Sequence, residues 1–380
     1  MRDHRRATAR ARTQHRNRTF PQGLNEVTAE EAACPQHEDP SRPVFRRLHS
    51  SPITQQHARV KTEDRCVILY AVNPPKSKQG RAWKSALILA NPIAGKGRAK
   101  RLTEEISAGL TAVGLETEVC FSEGPGDISK FARERSSRHD VCVSVGGDGT
   151  LAEVLAGLRE TPEFPVAPFP TGTANVLSKD IGLARTPHEL IRAIQSGHTM
   201  NLDVARVIGS DKIERTSFLV LGVGIDGMVI HDLEAHRSGP ITKLSYLPSI
   251  LRSVFRYRRP RLRVAIDDEE IPGEFGFVLA SNCIHYGGFF TLDPDRDPGD
   301  GLWEVVMLKR GSILSILWVA IKGLLGGVEG GACSIKRGRR ATITSEEAAA
   351  FQLDGDAGAH TPVSLEVSSH PHRIVIPSPQ

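Results

Sequence analysis

The sequence predicts a chain of α/β plus all-β class: a doubly wound parallel sheet followed by an antiparallel β-sandwich, with a site in the cleft between them. Three observations predict it. Between residues 85 and 199, short apolar runs alternate with helical spacing four times, as strand–helix repeats on a parallel sheet do. One of these runs, Val141-Cys142-Val143-Ser144-Val145, stops at Gly146-Gly147-Asp148-Gly149-Thr150, a strand-to-helix turn where open α/β sheets bind ligands. From residue 200 to 380, short strand candidates separated by Gly, Pro and Asp turns take over.

Residues 1–84 are expected to be a mostly disordered basic extension. Its first nineteen residues carry Arg2, Arg5, Arg6, Arg10, Arg12, Arg16 and Arg18 against Asp3, and its one short apolar run is 67–72. It lacks the apolar centre of a secretory signal; the charge suits an anionic surface, or marks a start assigned too far upstream. Residues 86–90 read as a buried strand, 91–97 as a loop, 98–113 as an amphipathic helix ended by Gly114, and 116–121 as the next strand. A helix over 127–136 follows, with Asp127 placed to cap it. After 141–145 come a helix over 151–158 and a strand over 166–169, which runs into Pro170-Thr171-Gly172-Thr173-Ala174-Asn175. Sandwich strands are expected at 201–207, 217–223, 261–266, 275–280, 303–308, 341–343, 350–353, 363–367 and 373–376, the last with the option of returning to the first sheet. Two helices are expected among them, near 244–257 and 313–325.

Composition excludes several classes. With 39% hydrophobic and 5% aromatic residues, the 380-residue chain is ordinary for an α/β protein with room for two domains. The longest apolar stretch, 313–320, is too short to span a bilayer. Cys34, Cys66, Cys120, Cys142, Cys283 and Cys333 show no metal or redox spacing, which suits reduced thiols in the cytoplasm. A net charge of +5 gives no reason to expect a nucleic-acid partner.

The glycine turn carries the chemistry. Gly146, Gly147 and Gly149 allow close backbone approach, so amide N–H groups at a helix N-terminus can cradle a phosphate. Asp148 beside a polyphosphate makes sense with Mg²⁺ between them; the plainer alternative is an Asp that caps the helix. The Gly172 loop favours the cradle. Asn91-Pro92-Ile93-Ala94-Gly95-Lys96-Gly97 is not a P-loop, whose lysine is followed by a hydroxyl residue; Asn91, at a strand end, is its candidate nucleotide contact, against an ordinary Asn-Pro turn.

Gly146-Gly147-Asp148-Gly149-Thr150, Gly172-Thr173-Ala174-Asn175, Gly222-Val223-Gly224-Ile225-Asp226, Tyr286-Gly287-Gly288, Asp300-Gly301-Leu302 and Leu353-Asp354-Gly355-Asp356 follow one another in the order of the diacylglycerol kinase catalytic family, and the chain most resembles its bacterial soluble lipid kinases. The resemblance spans about residues 85–377 and implies ATP-dependent phosphorylation of a lipid hydroxyl, with the nucleotide on the α/β part and the lipid on the sandwich. It places nucleotide contacts at Ser122, at Gly147, Asp148, Gly149, Thr150, Leu151, Ala152 and Glu153, and at Thr173; a first-turn Glu153 is equally a partner of the helix dipole. It implies a second, structural magnesium held by the loop of Asp297, Asp300 and Leu302. The general base of the family is a glutamate where this chain has Asp356, one methylene shorter, with Asp354 as the alternative. The lipid side is less legible: Arg252, Arg256, Arg258, Arg259, Arg261 and Arg263 around Phe255 and Tyr257 are a candidate contact with an anionic inner-membrane surface, or an ordinary charged face, and His285 reads as structural. The rival readings are an NAD-kinase-like enzyme and a catalytically weak lipid or nucleotide sensor. The acceptor lipid and a homodimer are left open.

Overall fold

The structure, a computed structural model, describes residues 58–62, 65–69, 83–172, 174–236, 249, 252–253, 257, 259–286, 290–292, 296–309, 315, 321–322, 328 and 330–378. The arginines of the first nineteen residues, Thr173, and most of the two expected sandwich helices lie outside the described residues. Within the N-terminal stretch, β1 (Ala58–Thr62) and β2 (Arg65–Leu69) pair as an antiparallel ribbon where only one apolar run was expected.

The first sheet has the order β4-β3-β5-β6-β22-β7, from β3 (Ser85–Ala90), β4 (Glu116–Phe121), β5 (Val141–Gly146), β6 (Val166–Pro170), β7 (Thr199–Leu202) and β22 (His372–Val375). β3 pairs in parallel with β4 and β5, β5 with β6, and β6 with β22; β7 joins antiparallel to β22. Side-chain alternation along β3 divides the core in two. Ala86, Ile88 and Ala90 pack under α1 (Arg98–Ala112) and α5 (Pro187–Ser196), while Leu87 and Leu89 pack under α2 (Asp127–Arg135) and α3 (Asp148–Gly157). Both faces are therefore apolar, which explains the unbroken runs in β3 and β5. Helix α5 begins with a complete capping box, Thr186 and Glu189, and Pro187 in the first turn. Asp127 does not cap α2. Gly126 takes the N-cap position, and the Asp127 carboxylate instead accepts from Glu123 N at 2.9 Å and Gly124 N at 2.8 Å, bracing the preceding loop.

The remainder is a sandwich of two six-stranded antiparallel sheets. One has the order β17-β16-β13-β10-β19-β20, from β10 (Val220–Val223), β13 (Phe277–Ser281), β16 (Trp303–Leu308), β17 (Cys333–Gly338), β19 (Ala350–Leu353) and β20 (Asp356–His360). The other has the order β12-β11-β18-β21-β8-β9, from β8 (Ala205–Ile208), β9 (Glu214–Ser217), β11 (Leu262–Ile266), β12 (Glu269–Phe275), β18 (Arg340–Ser345) and β21 (Val363–Val367). Leu221, Val278, Trp303, Val305 and Phe351 face Val207, Val264, Ile343, Val363 and Leu365 in the core between them. β14 (His285–Tyr286) and β15 (Phe290–Thr291) form a short separate ribbon.

Several expected elements are corrected. The 201–207 strand is two, broken at Asp203, with β7 in the parallel sheet and β8 in the sandwich. The 217–223 strand is likewise divided into β9 and β10. Helix α6 (Ile225–Ala235) follows β10 directly, where no helix was expected. Of the strands that escaped notice, β12, β17 and β20 are edges of the two six-stranded sandwich sheets. An edge strand is half solvated and tolerates charge, Pro and Gly, so its sequence lacks an apolar signature.

Candidate active site

The carboxyl ends of β5 and β6 hold the two glycine loops together. Gly146 pairs in register with Pro170, and Thr171 N donates to Gly146 O at 2.8 Å. Backbone then meets backbone: a Cβ on Gly172 would lie 2.7 Å from Gly147 Cα, so only glycine fits. Asp148 opens α3, and its Oδ2 accepts from Val176 N at 3.0 Å, capping α4 (Val176–Ile181) across the gap between the loops. Burial pushes its carboxyl up against the pull of that bond. Asn175, in the left-handed region at φ 44°, donates from Nδ2 to Gly172 O at 2.7 Å. Its Oδ1 and the Thr171 Oγ1 are buried without a hydrogen-bond partner among the described residues, as suits groups awaiting a polar ligand.

The other expected nucleotide contacts divide. Thr150 and Leu151 are buried, Leu151 N already donates to Gly147 O at 3.2 Å, and Ala152 packs against the same core. Glu153 Oε2 accepts from Gly126 N at 3.1 Å, so it braces the 122–126 loop behind Ser122. Ser122 N donates to Ala90 O at 3.0 Å, which fixes Ser122 at the ligand-facing edge. Asn91 Oδ1 accepts from Ile93 N at 3.2 Å, the local turn that was its plainer alternative.

The sandwich brings a carboxylate to this cradle. β19 and β20 are joined by the two-residue hairpin turn Asp354-Gly355, with φ 52° and 98°, and Leu353 pairs with Asp356. Asp356 Oδ2 lies 3.9 Å from where a Cβ on Gly149 would stand. The peptides on either side of Asp356 are pinned: Gly355 N donates to Gln352 Oε1 at 2.8 Å, and Ala357 N to Glu234 Oε1 at 3.0 Å. Gln352 Nε2 in turn donates to Asp226 Oδ2 at 2.7 Å, and the Tyr286 hydroxyl donates to Asp226 Oδ1. Both of these donors are neutral and cannot offset the desolvation of the Asp226 carboxyl, which is pushed up.

Asp354 is committed elsewhere. Its carboxylate accepts from Ser217 Oγ (2.7 Å), Phe218 N (3.0 Å), Leu219 N (3.1 Å) and Val220 N (2.8 Å), tying the hairpin to the β9–β10 break. Burial pushes it up to about 6 in spite of these donors. Asp354 is thus a buttress for the turn that presents Asp356.

The acidic loop does not fit the expected structural magnesium. Asp300 Oδ1 accepts from Arg296 Nη1 at 2.9 Å, Leu302 O accepts from Arg296 Nη2, and Asp297 Oδ1 accepts from Gly299 N at 3.0 Å. Among the described residues no group of three or more His, Cys, Asp or Glu side chains is arranged to hold a metal. Mg²⁺ at a nucleotide is a different matter, because it needs only one or two carboxylates beside the phosphates, and Asp148 fits that need.

Sequence reasoning missed Asp180, Arg296, Gln352 and the role of Asp226. Asp180 Oδ2 accepts from Ile284 N at 2.9 Å and its Oδ1 pairs with His285 Nδ1 at 2.9 Å, which joins α4 to the sandwich and raises the His285 pKa. A signal for Asp226 existed in Gly222, where a Cβ would fall 1.9 Å from Asp226 Oδ2. Of the arginine patch, Arg252 pairs with Asp232 at 2.7 Å, Arg263 with Glu346 at 3.6 Å and Arg261 with Glu274 at 3.9 Å, while Phe255, Arg256 and Arg258 lie outside the described residues. Among the described residues no helix is long and apolar enough to cross a membrane.

Comparison with known proteins matches both parts. The diacylglycerol kinase catalytic domain profile matches residues 85–207, and that of the YegS C-terminal NAD kinase beta sandwich-like domain matches residues 220–376. The chain is 26% identical over 299 residues to a diacylglycerol kinase of Staphylococcus saprophyticus, covering 73% of this chain and 91% of that one. It is 25% identical over 283 residues to a diacylglycerol kinase of Bacillus subtilis, covering 73% and 92%. In fold it is similar to the crystal structure of a diacylglycerol kinase from Bacillus anthracis, with a TM-score of 0.59 and 19% identity over 79% of this chain and 99% of that one. Matched in order through the parallel sheet and the sandwich, the chain belongs to the diacylglycerol kinase catalytic family of lipid kinases.

Proposed function

We propose that the protein transfers the γ-phosphate of ATP to a primary hydroxyl of a lipid such as diacylglycerol, with Asp356 as the general base. The observation that carries this reading is the meeting of Asp356 with Gly149, which sets a proton acceptor from the sandwich against a phosphate cradle from the parallel sheet. Phosphoryl transfer depends on positioning and charge stabilisation. The amides at the start of α3 supply N–H donors and the positive end of a helix to the phosphates. Asp356 accepts the proton of the attacking hydroxyl; the hydrogen bonds from Gly355 and Ala357 hold its backbone while it does so. Asp148 would hold, directly or through water, the Mg²⁺ that accompanies the nucleotide, and the ion would supply charge neutralisation to the phosphates. The acceptor reaches the cleft from a cytoplasmic membrane surface through peripheral contact.

The test is transfer of labelled phosphate from ATP to diacylglycerol, to other lipids with a primary hydroxyl, to NAD and to no acceptor. The expected result is transfer to a lipid and a fall in kcat of about 10²–10⁴-fold in Asp356→Asn. Transfer to NAD alone, or an Asp356→Asn variant as active as the parent, refutes the reading.

A further inference from the structure

The loop expected to hold a second metal already contains a cation. The Arg296 side chain has 0% exposure, and its guanidinium is surrounded by oxygens. Nη1 donates to Asp300 Oδ1 at 2.9 Å, and Nη2 donates to Leu302 O and to Asn282 Oδ1. Glu304 Oε2 stands 2.6 Å from Nε, and Asp203 Oδ2 3.9 Å from Nη2. Asp203 and Glu304 are each 1% exposed. Three carboxylates converge there, and Arg296 meets them with the exposed-side help of Arg337, whose Nε is 3.0 Å from Glu304 Oε1.

The position of this cluster matters. Asp203 lies at the break between β7 and β8, where the chain leaves the parallel sheet for the sandwich. Its N donates to Pro298 O at 2.6 Å and its Oδ2 accepts from Gly301 N at 2.7 Å. Asn282 Nδ2 donates to Asp203 O at 2.8 Å. The 296–302 loop, the end of β13, the start of β16 and the crossover are thus joined through one guanidinium.

A divalent cation at this loop would draw Asp300 and Leu302 O to about 2.0–2.6 Å, the distances of Mg²⁺ and Ca²⁺ ligands. Both oxygens accept from Arg296 instead, and a fully buried guanidinium displaced from its counter-ions is costly. We propose that the Arg296 guanidinium takes the place of the structural magnesium in this chain, so that the junction between parallel sheet and sandwich is held by a cation covalently part of the protein. This stands whether or not the chain transfers phosphate.

The test is thermal unfolding of the chelator-treated full chain without nucleotide, with and without Mg²⁺ or Ca²⁺. The expected result is a wild-type Tm unchanged by either ion, and an Arg296→Ala variant of lower Tm that regains more than about 3 °C when an ion is added, because the carboxylates left behind then bind it. A wild-type Tm that rises with metal, with the rise lost in Asp300→Asn and kept in Asp148→Asn, overturns the proposal. So does a folded Arg296→Ala variant indifferent to both ions. Should Arg296→Ala fail to fold, the wild-type comparison with Asp300→Asn decides alone.

Discussion

Replacing Gln352 with Leu tests whether the base is held by the network behind it. Gln352 is 2% exposed and bridges Gly355 N and Asp226 Oδ2 at 2.8 and 2.7 Å. Leucine fills nearly the same volume but bonds neither group. A part-buried amide without a partner costs about 1–3 kcal/mol, and the lost bond to the Asp226 carboxylate about 1.5–3 kcal/mol. Protonation of Asp226, whose carboxyl is already pushed up, recovers part of the second amount. The net expectation is about 3–4 kcal/mol, which for a domain of this size lowers Tm by roughly 6–15 °C. The catalytic effect is separate. Gly355 immediately precedes Asp356, and a displacement of about 1 Å at the base costs on the order of a hundredfold in kcat. The glycine cradle is untouched, so KM for ATP should stay near that of the parent. Thermal unfolding together with steady-state kinetics against ATP and diacylglycerol reads both effects. A Gln352→Leu enzyme with parental Tm and kcat refutes the positioning role; equal losses in ATP affinity and kcat would mean that the substitution has disturbed the whole cleft.

Gly172→Ala is expected to push the two loops apart, because the neighbour is the backbone at Gly147 Cα, 2.7 Å from the added Cβ; ATP binding measured by calorimetry should weaken at least tenfold, about 1.4 kcal/mol. His372 is buried, and burial lowers its pKa to about 4. Between that value and the unfolded value near 6.5, the unfolded chain binds a proton that the native one does not, so stability is full above pH 6.5 and falls by up to about 3 kcal/mol as pH drops toward 4. Urea unfolding at pH 7 and pH 5 should show about 2 kcal/mol of that loss in the parent, and a smaller one in His372→Gln. Charge reversal at Arg261 and Arg263 should reduce sedimentation with anionic vesicles; unchanged binding would remove this patch from membrane contact.

The parallel sheet was legible because both faces of β3 and β5 are buried, which leaves unbroken apolar runs. The cradle was legible because its loops are local: Gly146 to Thr150 and Thr171 to Asn175 each bend within a few residues. What escaped depends on distance along the chain. The Asp354-Gly355 hairpin turn can be read from two residues, but its four donors come from Ser217 to Val220, more than 130 positions earlier. Helix α6 escaped because Ile225, Ile230 and Leu233 are buried while Met228 and Val229 add further apolar positions, so no single stripe appears. Arg296 was invisible for a similar reason: Asp300 is near in sequence, but Asp203 and Asn282 reach it only through the sandwich topology.

The C-terminal strand β22 sits between β6 and β7, inside a sheet whose other strands all come from residues 85–202. That sheet is therefore finished only when residues 372–375 have been synthesised. Until then β6 presents an open row of backbone groups, and β7 lacks the neighbour it pairs with. A nascent chain of this protein carries an unsealed nucleotide domain through the whole translation of the sandwich, and a fragment ending near residue 370 would keep that adhesive edge permanently.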